Sequence, residues 1–528
     1  MTDSTQSDSP PRRGIVTRFF RWLFSWRSVR AALFVALVLV TLFALAGAIE
    51  NWRGKRAWMK YRTEKIAQGE PMEVAAIIPP LVRDEENFAM TPLFKSFFDY
   101  RYGTNGIIWA DTNAQPRLQR IRTDAPQKQF ANGRGSWVEA TRFDLKAWQE
   151  YYRSTNLFPI SAAPQTPAAD VLLALTKFDP ELNELHEAAR LRTKARFPVH
   201  YEELFEALLP HLAHLKQLSL VLQLRSAAYL ANGETEKAKA DIELAWRLGD
   251  SVRDSQIISM LVRIAVHSIA LEPLWEGLAD HRWSDEQLAS FQQWLEQFDF
   301  IDNYFKAIRV ERAVGNSSVE KWIADPAALR RDVDAFASSV GLTGESRAIP
   351  AAGVFIALPR GWLYQNLVSI NRFYDKMLAQ EQVISPTSAA PALLDDAQML
   401  SECSSFTMYK ILARMLAPAV GRGISKAYRA QSAVTLAHTA CALERYRLAN
   451  GQFPDKLDAL VPRFAKSSPV DLMTGQPLKY HRTDNGSFVL YSVGIDRVDD
   501  NGVTKVGKRP ASAAEVERGD WVWRYPAK

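Results

Sequence analysis

One stretch of the chain stands apart in its hydrophobic pattern. Residues 31–49 form an uncharged run of 19 residues, AALFVALVLVTLFALAGAI. A helix of this length spans about 28 Å, which is close to the thickness of a bilayer core. Trp22 and Trp26 precede the run, and Trp52 and Trp58 follow it, as is typical of aromatic side chains at the two membrane interfaces. The pattern predicts a transmembrane helix.

Further along, the hydrophobic positions recur at the three- and four-residue steps of amphipathic helices. Leu212, Leu215, Leu218 and Leu222 follow this spacing on one helical face. Similar faces recur along residues 166–423, so we predict a large helical body there.

Two local signals refine this helical body. Residues 222–250 contain two helical segments separated at Gly233, which predicts a helical hairpin. Ser284 and Gln287 have the spacing of a capping box, and this predicts that a helix begins just after Ser284.

Residues 50–165 show a mixed pattern, with several glycines and short apolar runs. The runs at 106–109 and 137–140 are typical of short strands. We therefore expect loops and a few strands that pack against the helical body.

The C-terminal region changes pattern again. Residues 424–449 predict one long helix, and the pair Asn450-Gly451 predicts its end. A short helix is expected near Asp455. Two strand-like runs follow at 478–482 and 488–492 with an Asn-Gly pair between them, a strong signal for a hairpin. Together these elements predict a small α+β unit.

The predicted fold class is therefore mainly α, with a transmembrane helix at the N-terminal end and a small α+β unit at the C-terminal end. The predicted divisions are a basic tail at 1–30, the transmembrane helix at 31–49, a mixed region at 50–165, the helical body at 166–423 and the α+β unit at 424–528.

Charge is distributed unevenly. The formal net charge is +6, but residues 1–65 hold 12 Lys/Arg against 4 Asp/Glu. The rest of the chain holds 53 Lys/Arg against 55 Asp/Glu and is nearly neutral. A nucleic-acid-binding surface would need a basic excess on the large part, so we expect no nucleic-acid partner.

Two cysteines, Cys403 and Cys441, are too few for a disulfide-rich scaffold or a four-thiolate metal site. A single bridge between them in an oxidising compartment and two separate buried thiols both remain open.

Membrane orientation follows from chain length rather than from charge. Six basic residues lie before the apolar run and six follow it within residues 50–65. The positive-inside rule therefore does not favour either orientation of the helix. The short N-terminal tail and the long remainder favour an anchor with its N-terminus in the cytoplasm and the bulk of the chain outside. A cleaved signal peptide is the alternative, although the run is longer than the 7–15 residues typical of a signal.

Three C-terminal runs resemble a known family. They are ALERYRLANGQFPDKLDALVP at 442–462, PVDLMTGQPLKY at 469–480 and FVLYSVGIDRVDDNG at 488–502. These runs resemble the globular part of the major pseudopilins of type II secretion. In those proteins the hydrophobic helix leads directly into the globular part, whereas here the apolar run lies far upstream, so a pilin subunit is not expected.

The whole chain also resembles bacterial single-pass membrane proteins that end in this module. The resemblance implies a protein of the bacterial inner membrane, with the bulk of the chain in the periplasm.

An acidic loop is the candidate metal site. Asp496, Asp499, Asp500 and Asn501 offer several oxygen ligands within six residues, and calcium prefers six to eight oxygens. The resemblance implies a calcium site at Asp496, Asp499 and Asp500, as in the corresponding loop of major pseudopilins. A solvated acidic turn, balanced by nearby basic residues such as Arg497, is the alternative.

The sequence contains no G-x-S-x-G motif or other convincing catalytic signature. We therefore expect a membrane-anchored protein with a binding or scaffolding role, with envelope protein partners and a link to a secretion or pilus-like assembly. The alternative is an envelope hydrolase whose site is assembled from scattered residues. A deep pocket with convergent Asp, Glu or His side chains and shifted pKa values would favour the hydrolase.

Overall fold

Helices dominate the structure, a computed structural model in which two small antiparallel sheets accompany them. The residues that it describes are 26–103, 106–110, 115–123, 133–253, 256–325, 327–329, 331–332, 359–382, 405–484, 486–504 and 519–526.

The helices of the described residues, in chain order, are α1 Trp26–Ala67, α2 Pro92–Lys95, α3 Gln115–Gln119, α4 Leu145–Ser154, α5 Pro167–Leu175, α6 Asp179–Leu191, α7 His211–Ala231, α8 Thr235–Asp250, α9 Ile257–Ala279, α10 Asp285–Leu295, α11 Phe300–Ala324, α12 Arg360–Ala379 and α13 Ile411–Asn450. The strands are β1 Tyr100–Gly103, β2 Gly106–Trp109, β3 Lys479–Arg482, β4 Phe488–Ser492 and β5 Trp521–Arg524.

The first helix has two different halves. Its N-terminal half contains the predicted span at 31–49, whose side chains are largely exposed and which is apolar enough to cross a membrane. Its second half continues without a break to Ala67 and buries Gly54 and Trp58 against the body. Helix α9 is also long and apolar enough to span a bilayer, but half of its apolar window is buried inside the protein. Helix α9 is therefore a helix of the protein core.

Helices α7, α8 and α9 pack side by side and form the centre of the body. The predicted hairpin at 222–250 is confirmed, with the turn at Gly233 in the left-handed region at φ 81°. The leucines of the predicted apolar face are buried; they are Leu212, Leu215, Leu218 and Leu222.

The predicted capping box is also confirmed. The backbone N–H of Gln287 donates to the Ser284 hydroxyl at 3.2 Å, and the Ser284 N–H donates to the Gln287 side chain at 3.0 Å. These two bonds satisfy donors that the start of α10 would otherwise leave free.

The long C-terminal helix is confirmed, but it begins at Ile411 rather than at residue 424. It ends where predicted, because Gly451 adopts the left-handed conformation at φ 80°. The predicted division at residue 424 thus falls inside α13. This helix packs against α9, α10, α11 and α12 on one side and against β4 and β5 on the other.

The C-terminal sheet has the order β3-β4-β5 and is antiparallel throughout. Strands β3 and β4 were predicted, and a short 3₁₀ helix at Leu457–Leu460 occupies the place of the expected short helix. Strand β5 was not predicted. It joins the sheet to the body, since the Trp275 indole N–H donates to the Arg524 carbonyl at 2.9 Å.

In the mixed region, one predicted strand is confirmed and the other is wrong. Residues 106–109 form β2, which pairs with β1. Residues 137–140 instead form a turn closed by backbone bonds between Ser136 and Thr141, with Ala140 at φ 54°. The apolar run there packs its tryptophan against the ring of Trp523 at 5.3 Å rather than pairing as a strand.

Candidate functional site

A pocket of about 180 Å³ lies where α8 and α9 meet α13. We call it the internal pocket. Helices α8 and α9 supply its floor, and α13 supplies one rim. Its apolar walls include Trp137, Ile264, Leu271, Leu295, Phe298 and Val434. The packing of three long helices leaves a small, concave and mainly apolar gap between them.

His267 lies on the floor of the pocket and is only 2% exposed. Its ring packs against Phe298 at 4.1 Å and Phe300 at 5.4 Å between centroids. Neither ring nitrogen has a hydrogen-bond partner among the described residues. Burial, reinforced by the charge of Arg263, lowers the pKa of His267 to about 3. The imidazole is therefore neutral near pH 7, with one N–H donor and one nitrogen acceptor.

Trp246 forms another part of the same floor and is fully buried. Its indole N–H also lacks a partner within the part of the chain that the structure describes. Leaving one buried polar group unpaired costs about 1–3 kcal/mol. Both side chains line the pocket, but their unpartnered nitrogens are themselves buried, so a polar group of a ligand would reach them only after a small shift of the floor.

The mouth of the pocket is polar and cationic. Ser268, Lys426 and Arg429 line it and are exposed. A ligand that fills the apolar interior would therefore meet two positive charges where it reaches solvent. The pocket therefore combines an apolar interior with a cationic mouth.

Two glutamates lie on α9 directly beyond the pocket wall. Glu272 accepts a hydrogen bond from the backbone N–H of Trp137, and Glu276 accepts one from the N–H of Phe143 at 2.6 Å. Burial raises the pKa of Glu272 to about 9, and the neighbouring charge of Glu276 adds to this. Burial also raises the pKa of Glu276 to about 7. Neither carboxyl lines the pocket, and both hold the 133–143 segment that forms one of its walls.

The predicted calcium ligands lie together in the loop after β4, but each has partners within the protein. Asp496 accepts hydrogen bonds from the backbone N–H groups of Val498 at 3.3 Å and Gly519 at 3.2 Å. Asp499 accepts one from the Tyr491 hydroxyl at 3.0 Å.

Other contacts complete the acidic loop. Lys479 forms an ion pair with Asp499 at 3.0 Å, and the backbone N–H of Asp500 donates to Asp520 at 3.3 Å. Burial and the charges of Asp499 and Asp500 raise the pKa of Asp520. Among the described residues, no group of three His, Cys, Asp or Glu side chains is arranged to hold a metal ion. Calcium binding at Asp496, Asp499 and Asp500 stays a prediction.

Sequence reasoning missed Asp520, which approaches the acidic loop from a separate part of the chain. It also missed His267 and Trp246 as a pair, because they come from different helices. A signal for His267 was nonetheless present. The imidazole is the sole strongly polar side chain in IAVHSIAL, at 264–271, an apolar run on a core helix.

Of the two cysteines, Cys441 is buried in α13, and burial raises the pKa of its thiol. Cys403 lies outside the described residues, so the pairing of the two is untested. The raised pKa makes Cys441 a poor nucleophile, since the thiolate is the reactive form.

A scan against protein-family models and searches of curated proteins and of solved structures found no significant match to this chain.

Proposed function

We propose that this chain is a membrane-anchored binding protein for a small amphipathic carboxylate, held in the internal pocket. The observation that carries the proposal is the pair of buried, unpartnered polar groups, on His267 and Trp246, just beneath the surface of an otherwise apolar cavity.

The size of the pocket limits the ligand. At about 180 Å³ it has room for a single aromatic ring, since cavities of about 150 Å³ hold benzene. Dispersion contacts with the walls would supply most of the affinity. A ligand carboxylate would lie at the mouth beside Lys426 and Arg429.

The chemistry of the floor narrows the ligand class further. A hydroxyl group both accepts and donates hydrogen bonds, so once the floor has shifted it could accept the N–H of Trp246 and donate to the unprotonated nitrogen of His267. A hydroxylated aromatic acid therefore satisfies the floor, the walls and the mouth together.

The test is calorimetric titration of the full-length chain in nanodiscs with 4-hydroxyphenylacetate. Phenylacetate lacks the hydroxyl and 4-hydroxyphenethyl alcohol lacks the carboxylate, so each removes one recognised group. We expect both to bind at least about fivefold more weakly, since a net hydrogen bond contributes about 1 kcal/mol.

Variants assign the two contacts separately. His267→Leu should abolish the advantage of the hydroxyl, and Lys426→Gln should reduce the advantage of the carboxylate. Lys146→Gln removes an exposed charge that does not line the pocket and serves as the control. The proposal would be overturned if the wild-type chain bound all three compounds with equal affinity. It would also be overturned if the wild-type chain bound none of them.

The proposed location is the bacterial inner membrane, with a single pass, a cytoplasmic N-terminus and a periplasmic body. The apolar first half of α1 and the resemblance of the C-terminal runs support it. A periplasm-active enzyme fused after Lys528 should be active. A silent fusion that accumulates at normal levels would contradict this topology.

A scaffolding role beside a pseudopilin-like assembly is supported by the resemblance and by the order of long helix, short helix and antiparallel sheet. Deleting the C-terminal unit is a poor test, because α13 is part of the body's core. A photocrosslinker at Val498, which is 52% exposed, leaves the core intact. Crosslinks to pseudopilins in native membranes would support the role, and crosslinks confined to unrelated proteins would contradict it.

The hydrolase alternative is favoured by one observation, the raised pKa values of Glu272 and Glu276. Proton transfer near pH 7 suits a carboxyl with a pKa of about 7, as Glu276 has. If the pair were catalytic, Glu276→Gln would abolish turnover of an ester or glycoside substrate and leave ligand affinity unchanged. If the pair is structural, the substitution changes stability alone.

A further inference from the structure

A second and larger cleft, of about 1150 Å³, lies where α1 leaves the predicted membrane span. It runs between α1, the first half of α12 and residues 405–409. We call it the interface groove. The side chains that define its character are Phe43, Gly47, Arg53, Trp362, Arg372 and Phe406.

One end of the interface groove is apolar and belongs to the predicted span. Phe43 lines it together with Ala44, Ala46, Gly47 and Ala48, and Phe43 is 79% exposed. An added Cβ at Gly47 would meet no atom within 4 Å, so the groove is open there. In a bilayer this end faces the acyl chains.

The opposite end carries positive charge. Arg53 and Arg372 line it and are exposed. The carboxylate of Glu50 also lines the groove, but Arg53 pairs with it at 3.4 Å and the Tyr409 hydroxyl donates to it. Arg53 is thus partly neutralised by Glu50. The net positive charge at this end therefore comes mainly from Arg372.

Aromatic rings also line the groove. Trp362 and Phe406 meet edge-on at 5.5 Å, and Phe406 and Tyr409 meet at 4.7 Å. Phe406 is 44% exposed. Tryptophan and tyrosine side chains are enriched at the headgroup level of bilayers.

The groove is held in a fixed shape by its walls. Gly54 and Gly361 bring α1 and α12 into backbone contact, and the Gly361 N–H donates to Asn51 at 2.6 Å. A groove that exists before its ligand arrives does not lose free energy to reorganisation on binding.

We propose that the interface groove is a binding site for one anionic phospholipid. An acyl chain would lie along Phe43 and Gly47, and the phosphate would lie beside Arg53 and Arg372. The site is separate from the internal pocket and shares none of its lining residues.

The test uses the full-length chain in nanodiscs of equal parts phosphatidylcholine and phosphatidylglycerol. After transfer to mild detergent, native mass spectrometry counts the lipids that remain bound. We expect phosphatidylglycerol to be retained over phosphatidylcholine. Arg372→Gln should lower its retention about fivefold, since one basic side chain near a membrane surface contributes about 1 kcal/mol.

Two further variants separate a site from general attraction. Lys60→Gln removes a 76% exposed charge on α1 outside the groove and should leave retention unchanged. Gly47→Leu fills the apolar end without touching charge and should lower retention of both lipids. Both Arg372 and Gly47 have open surroundings, so the fold is preserved, and an unchanged melting temperature verifies it.

Equal retention of the two lipids by the wild-type chain would overturn the proposal. An equal loss of phosphatidylglycerol retention in Lys60→Gln and Arg372→Gln would also overturn it. That result would mean that the lipid is attracted by the overall surface charge and not by a specific site.

Discussion

Two regions of this protein bury polar side chains and treat them in opposite ways. We call the first the anchor junction; it is where α1 packs on α11 and α12. There Arg312 is fully buried and directs two nitrogens at Glu70 and Asp375. The Tyr61 hydroxyl also donates to Asp375 at 2.6 Å, and Lys65 pairs with it at 2.9 Å. The second region is the internal pocket, where His267 and Trp246 have no such partners.

The difference concerns what burial of a polar group does to stability. A buried charge that is paired and hydrogen-bonded gives a fixed geometry, whereas a buried polar group without a partner lowers stability unless a ligand completes it. The anchor junction thus fixes the packing of α1 on the body, and the two unpartnered groups beside the internal pocket lower the stability of the fold.

The strongest way to break the anchor junction is Gly361→Ala. An added Cβ would overlap the backbone carbonyl of Glu50, so α1 and α12 must separate. We expect a loss of about 3 kcal/mol, the upper part of the range for overpacking, measured by thermal unfolding in detergent. Gly315→Ala on α11 is the matched control, because no atom lies within 4 Å of its added Cβ. Similar losses in both variants would contradict the close contact.

Removing the cation of the junction should have a smaller effect. Arg312→Met leaves Asp375 and Glu70 facing each other without their shared partner, and we expect a loss of about 2 kcal/mol. Both carboxylates are partly exposed, which limits the penalty. Adding Asp375→Asn should recover part of the loss. If the double variant is less stable than Arg312→Met, repulsion between the two carboxylates is not the cause of the loss.

The internal pocket should respond in the opposite direction. His267→Leu removes two unpartnered nitrogens from an apolar floor, so we expect it to stabilise the protein by about 1 kcal/mol. It should at the same time abolish the advantage that a hydroxyl group gives to a ligand. Ser268→Ala alters the exposed mouth and should be neutral in stability. A destabilised His267→Leu variant would show that the imidazole has a structural role.

The α9 carboxyls give a prediction of a different kind, the dependence of stability on pH. The pKa of Glu272 is raised from 4.5 to about 9, so the unfolded chain releases a proton that the folded chain keeps. The contribution of this group to the free energy of unfolding is therefore largest below about pH 4.5 and is lost as the pH rises toward 9. The loss is at most about 1.4 kcal/mol per pH unit. Chemical denaturation at several pH values should show this decline, and Glu272→Gln should flatten it. An unchanged slope in the variant would refute the raised pKa.

The hydrophobic pattern predicted most helices, because helix period and end signals are local. The capping box at Ser284, the hairpin turn at Gly233 and the end at Gly451 were each readable from a few adjacent residues. The start of α13 was missed, since the sequence between 411 and 424 includes a proline and two glycines that tertiary packing tolerates.

The site was less predictable than the fold. Trp246 and His267 are 21 positions apart and their missing partners are a property of three-dimensional packing. Strand β5 was missed for a similar reason, because it joins β4 after a long stretch of intervening sequence. The acidic loop was recognised from sequence, yet the role of Asp520 beside it depended on that same distant strand.

The unbroken α1 has a mechanical consequence. A helix of 42 residues is about 63 Å long, and roughly half of it lies beyond the apolar run. Since its second half is built into the core, the anchor behaves as a stiff post rather than as a tether. If the apolar half crosses a bilayer, the body stands at a set height and angle above the membrane surface, and any tilt of the post carries the whole body with it.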